Sequence, residues 1–261
     1  MCRACDVCSS GCEYFSPQAA IAGAAVGATL HICPGAYPKI TVVKSLTIVG
    51  QGRGDEPATN TIFDAEGNGT VVTIPSGVAA TLTNVRITGG STGGVSSEGL
   101  VTLNHCTVAA NERFTGSGGG GLLSAGSATL NDCIVRNNQA FQAGGIHHEG
   151  AGTLTLNNTV VTQNQATGGA GGGVVAGNPL AATGAVHIGN KSALTGNTAV
   201  GEGGGLYATT GAATSLDNSV EITGNHAQQG GGIFAGSGAT ISVNSATVEG
   251  NEPNNCVGVV C

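Results

Sequence analysis

The most reactive-looking stretch of this chain is QAGGIHHEG, residues 142–150, which sets His147, His148 and Glu149 side by side. Two imidazoles and a carboxylate in a chain with only six histidines suggest a general acid/base pair or part of a metal site. A zinc or similar ion needs three or four converging ligands, and Glu149 is the only further ligand nearby in sequence, so no metal is expected. A second concentration of chemistry stands at the N-terminus, where Cys2, Cys5, Cys8 and Cys12 form CxxCxxCxxxC. That spacing approaches a bacterial iron–sulfur motif, yet no proline follows the fourth cysteine and no second run exists. Disulfides or an unordered tail are the plainer readings, and no cofactor is expected.

The elements that would hold these groups emerge from a repeat. Glycine runs recur as GGGGLLSAG, AGGIHHEG, GGGVVAG, GGGLYATTG and GGGIFAGSG. The first apolar residues after them are Leu122, Ile146, Val174, Leu206 and Ile233, spaced by 24, 28, 32 and 27 residues. Independently, an apolar residue is followed three positions later by Asn111, Asn138, Asn164, Asn197, Asn225 and Asn251, spaced by 27, 26, 33, 28 and 26. Two anchors that keep step over successive copies imply a stacked array. Segments such as TLNHCTVAAN and TLNNTVVTQN alternate β-branched and polar residues, and none shows helical periodicity over ten residues. Three short strands per coil are therefore expected, with equivalent strands of successive coils pairing in parallel about 4.8 Å apart. The recurrent Asn should form an internal ladder of amides. The glycine triplets should let the backbone turn where other residues cannot.

Composition agrees. Glycine numbers 47 of 261 residues, only 9% are charged, and there are three Tyr, five Phe and no Trp. A narrow stacked coil needs small inward side chains, whereas a disordered chain would be poor in β-branched residues and rich in charge. The net charge is −7 with eight scattered Lys and Arg, so the basic stripe that nucleic acid requires is missing. No apolar run approaches the ~20 residues of a membrane span. Ser16 followed by Pro17 marks a helix start, and residues 16–25 are expected to cap the open first coil. The chain thus divides into a Cys-rich segment with capping helix (1–28), a β-helix (29–251) and a C-terminal cap (252–261). It is expected to be all-β, one right-handed parallel β-helix of about eight coils.

The stretch GATLHICPGAYPKITVVKSLTIVGQG resembles the first coils of secreted right-handed parallel β-helix proteins with the pectin-lyase-like fold. The GGGI and VxxN repeats are similar to those of bacterial surface β-helices, including polymorphic outer-membrane-protein and choice-of-anchor types. The resemblance covers roughly residues 26–251 and implies a secreted or surface location. It also implies a disulfide from Cys12 or Cys8 to Cys33, tying cap to first coil. It does not fix an activity, because this architecture carries lyases, hydrolases, epimerases and adhesins alike. The clustered acids of pectate lyases, the paired aspartates and GHG-like segment of polygalacturonases and the DPHD-like motif of alginate epimerases are absent. Of the remaining cysteines, Cys256 and Cys261 are placed to close a small terminal loop. Cys106 and Cys133 occupy equivalent positions in adjacent coils, either as a disulfide or as buried thiols. The roles of Cys2 and Cys5 are open.

Within the repeat His147 falls in a column with Leu123, Val175, Tyr207 and Phe234, expected to face outward as an apolar line. Such a line suggests a contact surface for a sugar chain, a partner protein or a second copy, unless loops 112–118 or 177–184 cover it. His148 falls among Ser124, Ala176, Ala208 and Ala235, facing inward or into a bend. A shorter column of Thr162, Thr195 and Thr223, the kind of flat array that binds ice, is interrupted by Ala109, Arg136 and Glu249. The expectation is a non-catalytic scaffold or adhesion module binding carbohydrate or a protein along that lateral face. The alternative is a polysaccharide-active, lyase-like enzyme using His147, His148 and Glu149 with Arg136 or Arg113.

Overall fold

A computed structural model describes residues 5–116, 118–178 and 184–261. The chain winds as a right-handed parallel β-helix with one short helix at its start. Three nine-stranded parallel sheets run its length. The first extends from Thr29–His31 to Thr240–Ser242, the second from Gly35–Tyr37 to Thr247–Glu249, and the third from Ile40–Thr41 to Cys256–Val257. Each coil gives one strand to each sheet, so the spiral has nine levels rather than about eight.

The spacing of apolar residues translates directly into register. Val108, Val135, Val161, Leu194, Ile222 and Val248 are successive Cα partners in the second sheet. Leu122, Ile146, Val174, Leu206 and Ile233 are partners in the third. The first sheet contributes Leu82, Leu103, Leu130, Leu156, Ile188 and Leu216. Nearly all are fully buried and form one continuous core. Equivalent aliphatic residues stack above one another because any change of register would turn every inward side chain out.

Two features depart from the expected three-strand coil. First, a fourth sheet joins Glu112–Arg113, Gln139–Ala140, Gln165–Ala166 and Thr198–Ala199 between the second and third sheets. Its two-residue strands are too short to leave a periodic signal in sequence. Second, the glycine triplets serve close approach more than turning. Only the first residue of a triplet takes a left-handed conformation, as at Gly171 with φ 75°, and Ala143 tolerates φ 53° at that place. The third residue has carbonyls of the next coil against it, so a Cβ on Gly173 would lie 2.5 Å from Gly205 O.

The asparagine ladder is continuous. Each Nδ2 donates to the Oδ1 of the next coil, from Asn111 through Asn138, Asn164, Asn197 and Asn225 to Asn251, at 2.9–3.0 Å. Each Oδ1 also accepts the backbone N–H of the preceding ladder Asn, at 2.9–3.1 Å. Gly90 N–H starts the file and Asn255 Oδ1 ends it. One residue ahead of each Asn, Ala110, Asn137, Gln163, Gly196, Gly224 and Gly250 are all left-handed.

The helix, Pro17–Gly23, begins at Ser16, whose Oγ accepts from Ala19 N–H at 3.2 Å. It buries Pro17, Ala20 and Ile21 over the first coil. The cysteines around it pair differently from the expectation. Cys33 bonds Cys5, and Cys8 bonds Cys12 four residues on. The reason lies in the chain path. The backbone at Asp6 and Val7 bonds to His31 O, and Cys33 N–H bonds to Val7 O, so Cys5 sits beside Cys33. Cys256 and Cys261 are joined, as their spacing suggested. Cys2 lies outside the described residues. Cys106 and Cys133 are not joined. They are buried thiols, each donating to backbone carbonyls, with Cys106 N–H directed at Cys133 Sγ at 3.4 Å. Thr159 and Ser192 continue that file, each accepting the backbone N–H of the coil before. The thiols thus occupy a corner where the side chain accepts a backbone hydrogen bond, and parallel Cβ directions suit that role better than a cross-link.

Candidate functional site

The third sheet brings the predicted column together. Leu123, His147, Val175, Tyr207 and Phe234 are successive Cα partners, with Val257 following. The column is not evenly exposed. His147 and Val175 are 6% and 5% accessible, while Leu123, Tyr207 and Phe234 are half-buried. Beside them lies a groove of about 350 Å³ lined by Gln142, His147, Val175, Glu202, Tyr207 and Thr209, with Gly169, Ala170, Gly177 and Asn178 completing it. The Tyr207 and Phe234 rings stack on successive coils with centroids 5.7 Å apart and planes 27° from parallel.

The polar groups in this wall are under-satisfied. His147 Nε2 lies 3.2 Å from Gly177 O, but Nδ1 is buried without a partner. Thr209 Oγ1, on a residue 4% exposed, is also unpartnered. Such groups are costly unless something supplies the missing bond. Burial raises the Tyr207 phenol above its ordinary pKa, and the Glu202 carboxylate adds to the effect, which places its charge near that ring.

His148 is a different kind of residue. It is fully buried, with Nε2 donating to Gly152 O at 3.0 Å and Nδ1 facing Ser124 Oγ at 3.4 Å. Both nitrogens are engaged, and the side chain does not line the groove. Glu149 lies outside the lining too, its backbone N–H bonded to Ser124 O. Arg136 does not join them. It belongs to the second sheet, between Ala109 and Thr162, and reaches Asp55 at 3.5 Å. Asp55 also contacts Arg86. Both arginines stand on strands of the second sheet, and their shared contact with the Asp55 loop is one that no spacing within the repeat announces. Arg113 does lie on the His147 side. It is largely buried, with Nε and one terminal nitrogen unpartnered. Burial lowers its pKa and Glu149 works against that.

Sequence reasoning missed several members. Phe114 and Phe141, 48% and 50% exposed, frame an adjoining depression with Gly116 and Gln142. Each stands three residues after a ladder Asn, as Thr167 and Val200 do, so a fixed offset carried the signal. Glu202 and Thr209 likewise keep fixed offsets, four before and three after Leu206, as Gln142 stands to Ile146 and Gly177 to Val174, but their residue types do not recur there. Among the described residues no group of three or more His, Cys, Asp or Glu is arranged to hold a metal ion, and no helix is long and apolar enough to cross a membrane.

Both column histidines have pKa values lowered by burial, with Glu149 opposing in each case and a backbone carbonyl bond supporting the charged form. The unfolded chain therefore binds these protons more readily than the folded one. Stability is expected to fall as pH drops through the unfolded value of about 6.5 and to keep falling until the lower folded values are passed. Urea unfolding at pH 7.5 and 5.0 measures this. His148→Gln should show a smaller drop between the two than the parent, and an identical drop would refute the assignment.

No protein-family model matches the chain, so the likeness of its repeats to polymorphic outer-membrane and choice-of-anchor proteins assigns no family. No curated protein matches it either. Among solved structures, it is similar in fold to an aspartate-to-alanine mutant of pectin methylesterase in complex with a hexasaccharide. That likeness has a TM-score of 0.51 at 14% identity and covers 93% of this chain and 92% of that one. The pectin methylesterase from carrot superposes with a TM-score of 0.49 at 14% identity, over 97% and 84% of the two chains. The first likeness establishes the pectin-lyase-like β-helix and nothing about activity.

Proposed function

We propose that this chain is a secreted or surface-displayed β-helix that binds carbohydrate along the flank formed by its third sheet. The observation that carries this is the groove with the Tyr207–Phe234 stack at its side and the polar residues Gln142 and Glu202 in its lining. Sugar rings offer an apolar face for stacking and a rim of hydroxyls, and this wall complements both. Three disulfides among the described residues suit an oxidising compartment. The pectin methylesterase mutant of like fold, which holds a hexasaccharide, supports the idea that this architecture can present a sugar-binding surface.

Glycan-array screening followed by calorimetry tests the proposal. Tyr207→Ala with Phe234→Ala is expected to weaken the best glycan at least tenfold, about 1.4 kcal/mol, while the thermal midpoint stays near that of the parent. Unchanged affinity in the double variant, or capture of a protein and no glycan, overturns it. A catalytic second reading draws on one observation, the partnerless Nδ1 of His147 in the groove wall, which is where a general base would stand. Release of unsaturated or reducing sugar that disappears in His147→Gln would replace simple binding with turnover.

A further inference from the structure

We infer that the groove selects uncharged, hydroxyl-rich sugar rings and rejects uronates. This rests on the reading of the flank as a carbohydrate site and adds the class of sugar it takes.

The argument begins with the direction of hydrogen bonding. Gly177 O can only accept, so the 3.2 Å contact requires the hydrogen of His147 to reside on Nε2. In a neutral imidazole Nδ1 is then a bare lone pair, and it has no partner. Burial keeps the ring neutral by lowering its pKa. Glu202 brings a carboxylate to the same groove, beside Tyr207. The neutral ring thus brings no positive charge to the groove, and the carboxylate there is an acceptor. The Thr209 hydroxyl, also unpartnered, can give or take a hydrogen bond, and the Gln142 amide carries one of each group.

Charge points the same way. None of the ten lining residues is Lys or Arg, and Glu202 is the one acidic side chain among them. Residues 179–183, which follow Asn178 in sequence, contain no ionisable side chain. Arg113 lies outside the lining with Glu149 as the carboxylate acting on it, and its own charge is felt at His147. A neutral sugar donates a hydroxyl hydrogen to the Glu202 carboxylate while its apolar face rests on Tyr207. A uronate would set one negative charge against that of Glu202, among lining residues that include no Lys or Arg.

The test compares two length-matched sets at pH 7.5 and low ionic strength. One holds neutral gluco-, xylo-, manno- and galacto-oligosaccharides, and the other holds galacturonate, glucuronate and guluronate oligomers. The best neutral oligomer is expected to bind at least tenfold more tightly than any uronate. Glu202→Lys should shrink that ratio at least tenfold, and Glu202→Gln should shrink it less, serving also as the variant least disturbing to the fold. A parent protein that prefers uronates, or a ratio unmoved by both substitutions, overturns the inference while leaving the carbohydrate site standing. If neither set binds, or if binding survives Tyr207→Ala with Phe234→Ala, the site itself is wrong and the selectivity falls with it.

Discussion

Asn164→Ala is expected to destabilise the protein by about 4 kcal/mol. Four hydrogen bonds end on the lost amide. Its Nδ2 donates to Asn197 Oδ1 and Val135 O at 3.0 Å each, and its Oδ1 accepts the backbone and side-chain N–H groups of Asn138 at the same distance. Each bond contributes only about 1 kcal/mol net, but the surviving partners stay buried and unpaired, which is the larger penalty. Asn164 is 1% exposed, so water cannot replace the amide without opening the coil. A domain with a typical 5–15 kcal/mol of stability would lose a large part of it. Asn251, the last ladder Asn, makes five such bonds but is 7% exposed, and it should cost less when replaced by Ala because water reaches the groups left behind. Denaturant midpoints for the two variants check this, and equal losses would show that the ladder does not act through its interior bonds.

Gly173→Ala is expected to be at least as damaging, although it adds a single methyl group. The new Cβ would stand 2.5 Å from Gly205 O and 3.0 Å from Asn197 Nδ2, so it must separate two coils or break the ladder. Overpacking of this kind costs about 1–3 kcal/mol where side chains can yield, and here the obstacle is backbone. Gly250→Ala is the informative comparison. It has φ 62° and nothing within 4 Å of its would-be Cβ, and Ala110 already occupies the equivalent place with φ 54°. Its cost should stay within about 1–2 kcal/mol, the ordinary penalty of a left-handed alanine. Thermal unfolding of both variants decides the matter. If Gly250→Ala were the worse, close approach of the next coil would not be what requires glycine at 173.

These two positions also show how much could be read in advance. The ladder was legible because one geometric role recurs once per coil, and repetition turns a single weak preference into six agreeing observations. Register in all three long sheets followed from the same spacing. The glycine triplets were legible as a pattern but not as a mechanism. Sequence shows that a side chain is absent, and only the stacking of coils shows which atom fills the space. The Cys33 partner was missed for a related reason, since four cysteines precede it in a segment without periodicity and chain path alone selects Cys5. Cys106 and Cys133 were correctly set above one another, and the choice between thiol and disulfide waited on their corner.

At the candidate site the division is sharper. His147 and His148 are adjacent in sequence, and alternation along a strand sends one toward the groove and the other inward to Ser124 and Gly152. That much the repeat register determined, together with the alignment of Val175, Tyr207 and Phe234. The tertiary structure decided which column members stay exposed, the joining of Glu202 and Thr209 in one groove, and the pairing of Arg136 with Asp55. The physical reason is locality. A solenoid repeats its backbone, so anything tied to the coil's own period is written in the spacing of residues. Which side chain stands at each repeated position, and how far it is exposed, obeys no period, and those choices make the groove.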